Sequence, residues 1–238
     1  MCGRYATTRS SADLTALFEA VDDSGGGIAP AYNVAPTDPV PIVRLSRSLG
    51  SRALSIARWG LLPVWAKAPA VGSRMINARV ESVATSPAYA RPFVSRRCLV
   101  PADGWYEWVR RGSRRQPYFM TAADGAPLAF AGLWGPWGEG EARRLTCTVL
   151  TTAAVGDLAA VHDRMPLLLA PDRWAAWLQA PADDPALLSP PPAALVEALE
   201  IRPVGPAVGN VRNDGPGLVA PVAAPPLGSS AAPPLTLF

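Results

Sequence analysis

The start of the chain carries the residue with the most distinctive chemistry. The sequence opens Met1-Cys2-Gly3-Arg4-Tyr5, and an initiator methionine is normally removed when the next residue is small. Removal of Met1 leaves Cys2 with an amine and a thiol on adjacent carbons. Such a 1,2-aminothiol condenses with an aldehyde through its amine and then closes a five-membered thiazolidine ring through its thiol. Cys2 is therefore a candidate covalent nucleophile, and the alternative is a cysteine at this position with no chemical role.

Ordinary pKa values favour this amine over a lysine side chain. An α-amino group has a pKa of about 7.7–8.0 against about 10.4 for lysine, so about a tenth of the amine is neutral at pH 7. The thiol, with a pKa of about 8.5, is also partly ionised. Lys67 is the only lysine, which makes an internal Schiff base the weaker interpretation.

Three further polar residues are candidates for proton transfer or substrate orientation. Glu107 lies between Tyr106 and Trp108 in a strand-like segment, where aromatic shielding raises the pKa of a carboxyl group. His162 is the only histidine and titrates near neutral pH. Asn77 offers an uncharged donor and acceptor. The residues alone leave structural alternatives open: a solvent-facing strand glutamate, a structural histidine and a helix N-cap asparagine.

The inventory of cysteine and histidine argues against two other kinds of site. The three cysteines, Cys2, Cys98 and Cys147, are odd in number and show no CxxC spacing, which is not typical of a disulfide framework or a zinc site. We therefore expect no metal and no cofactor. Cys98 and Cys147 lie in apolar runs and are expected to be buried and inert.

The positive charge of the chain is concentrated in one segment. Residues 39–120 carry fourteen Lys and Arg residues against three acidic ones, and residues 121–238 carry six against eleven. Such an excess favours a polyanion partner, and arginine suits bidentate phosphate contacts. On charge alone, an ordinary solvated surface is the alternative. No apolar run of about 18 residues is present and no signal-peptide pattern opens the chain, so we expect a cytoplasmic protein.

The spacing of apolar residues predicts the helices and strands that must position these residues. Apolar spacing predicts a helix over Ser11–Val21, with Ser11 as N-cap, and a mostly helical segment over Asn77–Arg97. Pro171–Gln179 reads as a short helix that begins with proline, and residues 33–39 read as an irregular loop. The remaining segments rich in aromatic and β-branched residues predict strands: Val40–Leu45, Ser55–Leu62, Leu99–Val109, Pro117–Thr121, Leu128–Trp134 and Leu145–Thr152.

Strands in succession, with helices between them, predict an α+β fold. We expect a single domain over residues 1–221, built on an antiparallel sheet or open β-barrel core with flanking helices. Residues 222–238 are rich in alanine and proline and are predicted to be a disordered tail.

Several motifs in a fixed order carry a family resemblance that runs from Cys2 to about Pro221. The chain resembles the SRAP family, whose name stands for SOS response-associated peptidase and whose members are also described as abasic-site processing proteins. The matching segments are Cys2–Tyr5, Tyr32–Pro36, Trp59–Trp65, Asn77–Glu81, Arg97–Trp108, Ala131–Trp134, Leu150–Ala153 and His162–Pro166.

The resemblance implies binding of single-stranded DNA, covalent capture of abasic sites through Cys2 and autoproteolytic removal of Met1. Of the catalytic residues that it implies, Glu107 serves the amine and imine steps. His162 donates a proton to the sugar ring oxygen and Asn77 orients the amine or a sugar hydroxyl. We expect a monomer that needs no metal and that associates with the nucleoid when it is bound to DNA.

The resemblance also assigns residues to the DNA strand. These are Gly3, which permits close approach, the arginines Arg4, Arg79 and Arg164 for flanking phosphates, and Trp65 for stacking on a base. Glu81 is expected to orient an arginine, and a core position is the alternative for Trp65. Trp59, Trp108 and Trp134 are assigned to the core.

Two other functions remain open at this point. A thiol peptidase would use Cys2 as nucleophile and His162 as base, which leaves the arginine-rich segment and the amine unexplained. A non-covalent reader of modified or single-stranded DNA would make Cys2 incidental. A strand-cleaving lyase activity is a further possibility that the sequence does not decide.

Overall fold

The computed structural model describes residues 2–140 and 143–224. Its four α-helices are α1 (Ser11–Phe18), α2 (Ala90–Ser95), α3 (Trp174–Gln179) and α4 (Ala193–Glu197). Its first six strands are β1 (Tyr5–Thr7), β2 (Val21–Asp22), β3 (Ala31–Val34), β4 (Pro39–Ser46), β5 (Ser51–Trp59) and β6 (Asn77–Arg79). The others are β7 (Arg97–Ala102), β8 (Gly104–Arg111), β9 (Arg114–Ala122), β10 (Leu128–Trp137), β11 (Arg144–Ala153), β12 (Arg164–Pro166) and β13 (Leu199–Pro203).

These strands form two sheets. The first has the order β13-β9-β8-β1-β3 and is antiparallel throughout. The second has the order β12-β11-β10-β7-β4-β5-β2, and β6 pairs with β11. A parallel pairing between β5 and β11 closes the second sheet into a barrel of β4, β5, β11, β10 and β7. The α+β prediction is confirmed, although the fold has two sheets and its barrel is closed by that pairing.

The main apolar core contains side chains from both sheets. Tyr5 of β1 lies edge-on to Trp59 of β5, with 5.1 Å between ring centroids. Tyr5 and Trp105 each approach Phe130 of β10 at 6.0 Å. Cys2 belongs to the same cluster, so its side chain lies inside the core and not on the surface.

Two smaller clusters cover other faces of the sheets. One packs α1 and α3 against the second sheet and includes the Phe18–Trp174 contact, at 4.5 Å between centroids. The other lies on the opposite face of the first sheet, around Tyr106, and includes Val204 and Val208 near the end of the described chain. Among the described residues, no helix has the length and apolar character needed to cross a bilayer.

Several predicted element boundaries are wrong. The first helix ends at Phe18, not at Val21, because Glu19 adopts a left-handed conformation with φ of 50°. Its N-cap is Ser10, whose hydroxyl accepts from the Asp13 N–H at 3.1 Å. The predicted loop over residues 33–39 begins inside β3 and ends at the first residue of β4.

The mostly helical segment predicted over Asn77–Arg97 is also wrong. It contains strand β6, a run of turns and only one short helix, α2, before β7. The predicted strand Leu99–Val109 is two strands that meet at Asp103. At the start of β8 the backbone packs closely against β9, since a Cβ on Gly104 would lie 2.3 Å from the Met120 carbonyl oxygen. The tail prediction falls mainly on residues 225–238, which lie outside the described residues.

Candidate active site around Cys2

Strand β1 holds the beginning of the chain against the first sheet. It pairs on one side with β3 and on the other with β8. The Tyr106 N–H donates to the Arg4 carbonyl oxygen at 2.9 Å, which continues the β1–β8 pairing toward the chain start. Cys2 is fully buried as a result, with its Sγ 4.0 Å from the Arg4 carbonyl oxygen.

Asn77 fixes the backbone of Cys2. Its Nδ2 donates to the Cys2 carbonyl oxygen at 2.8 Å. Asn77 is the first residue of β6, which pairs in parallel with β11, and its own carbonyl oxygen accepts from the Tyr89 hydroxyl at 3.1 Å. Its Oδ1 is buried and has no hydrogen-bond partner within the described residues. This acceptor, beside Cys2, is therefore available to a ligand hydroxyl or ammonium.

Glu107 is the buried carboxylate of the site. Side chains alternate along β8, so Glu107 lies on the same face as Trp105, which belongs to the main core. Only 5% of Glu107 is exposed. Burial raises the pKa of this carboxyl, and the nearby His162 partly opposes that rise. A carboxyl with a raised pKa can accept and release a proton close to neutral pH.

The environment of the Cys2 thiol differs from that of an exposed cysteine. Burial raises its pKa strongly, and the negative charge of Glu107 adds to that effect. The sequence-based expectation of a partly ionised thiol is therefore wrong for the folded chain. The thiol stays protonated at neutral pH and needs a base to take its proton.

His162 follows a short 3₁₀ segment, Gly156–Ala160, and its side chain is 30% exposed. The Arg164 N–H donates to its Nδ1 at 2.9 Å, while the Asp163 carboxylate lies 2.7 Å from the same nitrogen. The Asp163 carboxylate can accept a hydrogen bond from Nδ1 only when Nδ1 carries a proton. The Asp163 side chain is 86% exposed, so this ion pair is weak. The backbone donor fixes Nδ1 as the acceptor of the neutral ring, which leaves the proton on Nε2.

Arg164 is held by a carboxylate. Its guanidinium makes a bidentate pair with Glu81, at 2.6 and 2.9 Å, as the sequence analysis expected of Glu81. It also donates to the Thr151 carbonyl oxygen. The pair lowers the pKa of Glu81. Arg79, in the neighbouring β6, is exposed and carries no ion pair within the described residues.

Arg4 lies away from the Cys2 chemistry. Its guanidinium donates to the Asn33 Oδ1 at 2.7 Å and to the Val208 carbonyl oxygen at 3.0 Å, and it lies 5.9 Å from the Trp108 ring centroid. Trp108 packs against the cluster on the opposite face of the first sheet. Gly3, between Arg4 and Cys2, is half-buried.

Burial tests the predicted core or surface positions of the tryptophans and of the two remaining cysteines. Trp65 is 57% exposed, so the core alternative for it is wrong. Trp59 is fully buried as predicted, whereas Trp108 and Trp134 are only partly buried. The last two cysteines, Cys98 and Cys147, are buried as predicted. Among the described residues, no three His, Cys, Asp or Glu side chains lie together in a way that could hold a metal ion.

The structure brings Cys2, Asn77, Glu107 and His162 together from four separate segments. It leaves the Arg4 guanidinium and Trp65 outside that cluster. The sequence analysis missed Tyr89, which holds the Asn77 backbone, because its segment read as part of a helix. It also missed Asn33, whose side-chain amide donates to the Asn210 and Asn213 carbonyl oxygens while its oxygen holds Arg4. The Tyr32–Pro36 motif was the only signal for that residue.

Comparisons with known proteins show the family to which this chain belongs. The family model described as "SOS response associated peptidase (SRAP)" matches residues 1–211. The chain is 37% identical over 209 residues to abasic site processing protein YoaM of Bacillus subtilis, covering 84% of this chain and 91% of that protein. It is 32% identical over 236 residues to abasic site processing protein YedK of Escherichia coli, covering 93% and 100%. A solved structure from Bacteroides thetaiotaomicron shares the fold, with a TM-score of 0.77 at 20% identity over 93% of this chain and 100% of that one.

Proposed function

The chain belongs to the SOS response associated peptidase (SRAP) family, and from that premise we propose that it captures abasic sites in single-stranded DNA. Its relatives are named abasic site processing proteins, which supports a role in DNA repair. In this proposal Cys2, exposed by removal of Met1, forms a covalent thiazolidine with the aldehyde of the abasic sugar. The protein acts as a monomer without a metal or cofactor, and the adduct shields the lesion.

One observation carries the proposal. The Asn77 amide holds the Cys2 carbonyl at 2.8 Å beside a glutamate that is almost fully buried. An internal structural cysteine needs neither a side chain that fixes its backbone nor a buried carboxyl group nearby. A chain terminus used as a reagent needs both, because free termini fray and amine attack requires a fixed geometry.

The first half of the reaction uses the amine. An abasic deoxyribose is mostly a closed hemiacetal, so ring opening comes first. The ring carbon–oxygen bond breaks, the anomeric hydroxyl loses its proton, and His162 in its protonated form gives a proton to the ring oxygen. The neutral amine of Cys2 then attacks the aldehyde carbon, and the carbinolamine loses water to give an imine. Glu107 moves protons in these steps, while the buried Asn77 Oδ1 accepts from the amine or from a sugar hydroxyl.

The second half uses the thiol. Its raised pKa keeps it protonated, so Glu107 removes that proton as sulfur attacks the imine carbon. A carbon–sulfur bond forms, and the imine electron pair and one proton end on nitrogen. The net change is one water released with no oxidation or reduction. Glu107 therefore serves both halves, first at nitrogen and then at sulfur.

Binding of the DNA strand falls to residues around this cluster. Arg79 is exposed beside Asn77, and Arg164 lies two residues after His162. These two arginines are proposed to contact phosphates on either side of the lesion. Gly3 lets the strand approach the backbone, and the exposed Trp65 stacks on a base. Arg4 is proposed to contribute through its charge from the neighbouring face.

The thiol-peptidase alternative is disfavoured by electrostatics. A nucleophilic cysteine of that kind needs a depressed pKa, usually from an imidazolium or another positive charge. Burial and, after it, the negative charge of Glu107 instead raise the pKa of the Cys2 thiol. Any peptide cleavage in the proposal is confined to loss of Met1.

Intact-mass measurement of the purified protein, with and without single-stranded DNA that carries one abasic site, tests the proposal. We expect the species without Met1 to gain the mass of the oligonucleotide less one water, and the species that retains Met1 to gain nothing. Cys98→Ala and Cys147→Ala are matched controls that keep the adduct. Adduct formation by the Met1-retaining species would overturn the proposal.

A second variant separates the two halves of the reaction. Cys2→Ala keeps the terminal amine and loses the thiol, so it forms the imine and cannot close the ring. We expect no adduct that survives denaturation, and an adduct only when a borohydride reductant traps the imine. A stable adduct from Cys2→Ala without reductant would rule out the thiazolidine.

A further inference from the structure

A cavity of about 770 Å³ lies outside the Cys2 site, where the end of β4, helix α2 and the end of β10 meet. Five arginines line it, Arg44, Arg47, Arg91, Arg96 and Arg143, together with Trp134. No acidic residue is among the lining residues. A cavity of this composition attracts anions and repels cations.

Among the described residues, one of these arginines is paired with a carboxylate. Arg44 pairs with Asp23 at 2.8 Å and lies 5.0 Å from the Trp134 ring centroid. Within residues 2–140 and 143–224, the other four arginines have no carboxylate at ion-pair distance. Burial, followed by the positive charges of Arg91 and Arg47, lowers the pKa of Arg96. The like charges are therefore close enough to repel one another, which a bound polyanion relieves.

The cavity continues toward the exposed Trp65. A smaller neighbouring cavity is lined by Val64, Trp65 and Pro87, and it shares Arg91, Arg96 and Pro136 with the arginine cavity. Val64 and Trp65 are 75% and 57% exposed, so two adjoining apolar side chains form an exposed patch of the kind that a partner covers. An aromatic side chain next to a row of cations is the arrangement that binds a base and its phosphates.

The cavity is also linked to the Cys2 site by one short helix. Tyr89, whose hydroxyl binds the Asn77 carbonyl oxygen, immediately precedes α2. Arg91 and Arg96 follow along that helix and its end, about 8 Å apart along the helix axis. A strand that leaves the lesion over Tyr89 therefore reaches the arginines without crossing an acidic surface residue of this segment.

We propose that the arginine cavity binds the phosphodiester backbone of the DNA strand several nucleotides away from the abasic site. The inference rests on the proposed function and deepens it, because it adds a second region of the protein that contacts the DNA strand. Arginine suits this role, since its planar fork binds phosphate oxygens in pairs. Arg47 and Arg143 line the arginine cavity but not the neighbouring cavity that contains Trp65, so a strand too short to extend beyond Trp65 does not reach them.

The test uses Arg47→Gln/Arg143→Gln, in which two exposed side chains lose their charge. The control, Arg9→Gln/Arg212→Gln, removes two exposed arginines elsewhere and gives the same net charge. Affinity for unmodified single-stranded DNA is measured by fluorescence anisotropy over a range of salt concentrations. Two lengths are compared, about 6 and about 20 nucleotides, which span the usual site sizes for single-strand binding.

Each lost phosphate contact lowers the salt slope of log K by about 0.7 for a single strand. We therefore expect the cavity variant to lose about 1.4 from its slope on the long strand and nothing on the short one. The control should match the wild type on both lengths. An unchanged slope on the long strand, or an equal loss in the control, would overturn the inference.

Failure of the proposed function is detected separately. The short strand with one abasic site is incubated with each protein and analysed on a denaturing gel. We expect the cavity variant to form the covalent adduct in wild-type yield, because the cavity lies outside the Cys2 site. If wild-type protein forms no adduct, the proposed function fails, while the salt slopes still decide whether the cavity binds DNA.

Discussion

The side-chain amide of Asn77 and the backbone carbonyl of Cys2 are joined by a 2.8 Å hydrogen bond across 75 positions of sequence. The bond holds the backbone of Cys2 and leaves both its sulfur and its nitrogen unengaged by Asn77. Loss of Met1 therefore does not remove it. In the proposed reaction, this bond would position Cys2 and leave its amine and thiol free to react.

Replacing Asn77 tests that bond directly. Asn77→Asp keeps the shape of the side chain and loses the donor, so an oxygen faces the Cys2 carbonyl oxygen. We expect Asn77→Asp to slow adduct formation at least as much as Asn77→Ala, because the new oxygen repels the carbonyl oxygen. Single-turnover rates on abasic single-stranded DNA measure this, and a faster reaction in Asn77→Asp than in Asn77→Ala would contradict it. Denaturant unfolding should show a loss of about 1 kcal/mol for Asn77→Ala.

Tyr89 is expected to act as a positioning residue. Tyr89→Phe removes the hydroxyl that binds the Asn77 carbonyl oxygen, at a cost of about 0.5–1.5 kcal/mol of stability. The matched control is Tyr106→Phe, which loses a hydroxyl bonded to the Tyr32 carbonyl oxygen on the other face of the sheet. We expect both variants to lose similar stability in thermal unfolding, and only Tyr89→Phe to slow adduct formation. Equal rates in the two variants would show that Tyr89 serves stability alone.

Two glutamates should give opposite pH dependence of stability. Burial raises the folded pKa of Glu107 above the unfolded value of about 4.3. Its stabilising contribution is therefore complete below that value and is lost as pH rises through the folded pKa. Glu107→Gln should then raise the melting temperature relative to wild type more at pH 8 than at pH 4. Thermal unfolding at a series of pH values measures this difference.

Glu81 provides the control of opposite sign. Its hydrogen bonds from Arg164 lower its folded pKa, so its contribution is present above the unfolded value and is lost as pH falls through the folded one. Glu81→Gln should lower the melting temperature at pH 7 and have little effect near pH 3. If both variants change stability in the same direction with pH, the burial argument for Glu107 is wrong.

The Arg164–Glu81 pair should tune DNA affinity. Glu81→Gln removes the negative charge that neutralises Arg164, so the guanidinium is free to bind a phosphate. We expect tighter non-covalent binding of single-stranded DNA by Glu81→Gln and weaker binding by Arg164→Gln. Anisotropy at one fixed salt concentration measures both. Weaker binding by Glu81→Gln would contradict this expectation. It would mean that the Glu81 carboxylate helps to orient Arg164 toward the DNA and does not compete with a phosphate for the guanidinium.

The sequence identifies residues that meet at the candidate site better than it predicts the architecture that positions them. Cys2 and Glu107 are identifiable because the first has a distinctive position and the second lies in a strongly aromatic strand. The alternation of side chains along β8 is enough to place Glu107 on the same face as Trp105. These are local patterns, and a single sequence displays them.

Asn77 shows where local patterns fail. The run Asn-Ala-Arg-Val-Glu looks like a capped helix, because an N-cap residue precedes residues with high helix propensity. The chain forms a three-residue strand there, stabilised by parallel pairing with β11. Strand β11 lies far along the sequence from β6, so the pattern of residues 77–97 alone does not indicate this pairing. The partners of Arg4 are likewise invisible to local patterns, since Asn33 and Val208 come from distant segments.

The parallel contact between β5 and β11 is short, with Arg58 opposite Thr146 and Trp59 opposite Cys147. It is reinforced by the Gly60 N–H, which donates to the Cys147 carbonyl oxygen at 2.8 Å. Hairpins such as β4–β5 form between neighbouring segments, whereas this contact must wait until a long stretch of chain has been ordered. The parallel pairing of β5 with β11 is therefore expected to form last in folding. An intermediate in which the two strands are not yet paired would expose Trp59 and its apolar neighbours to solvent and would be prone to aggregate.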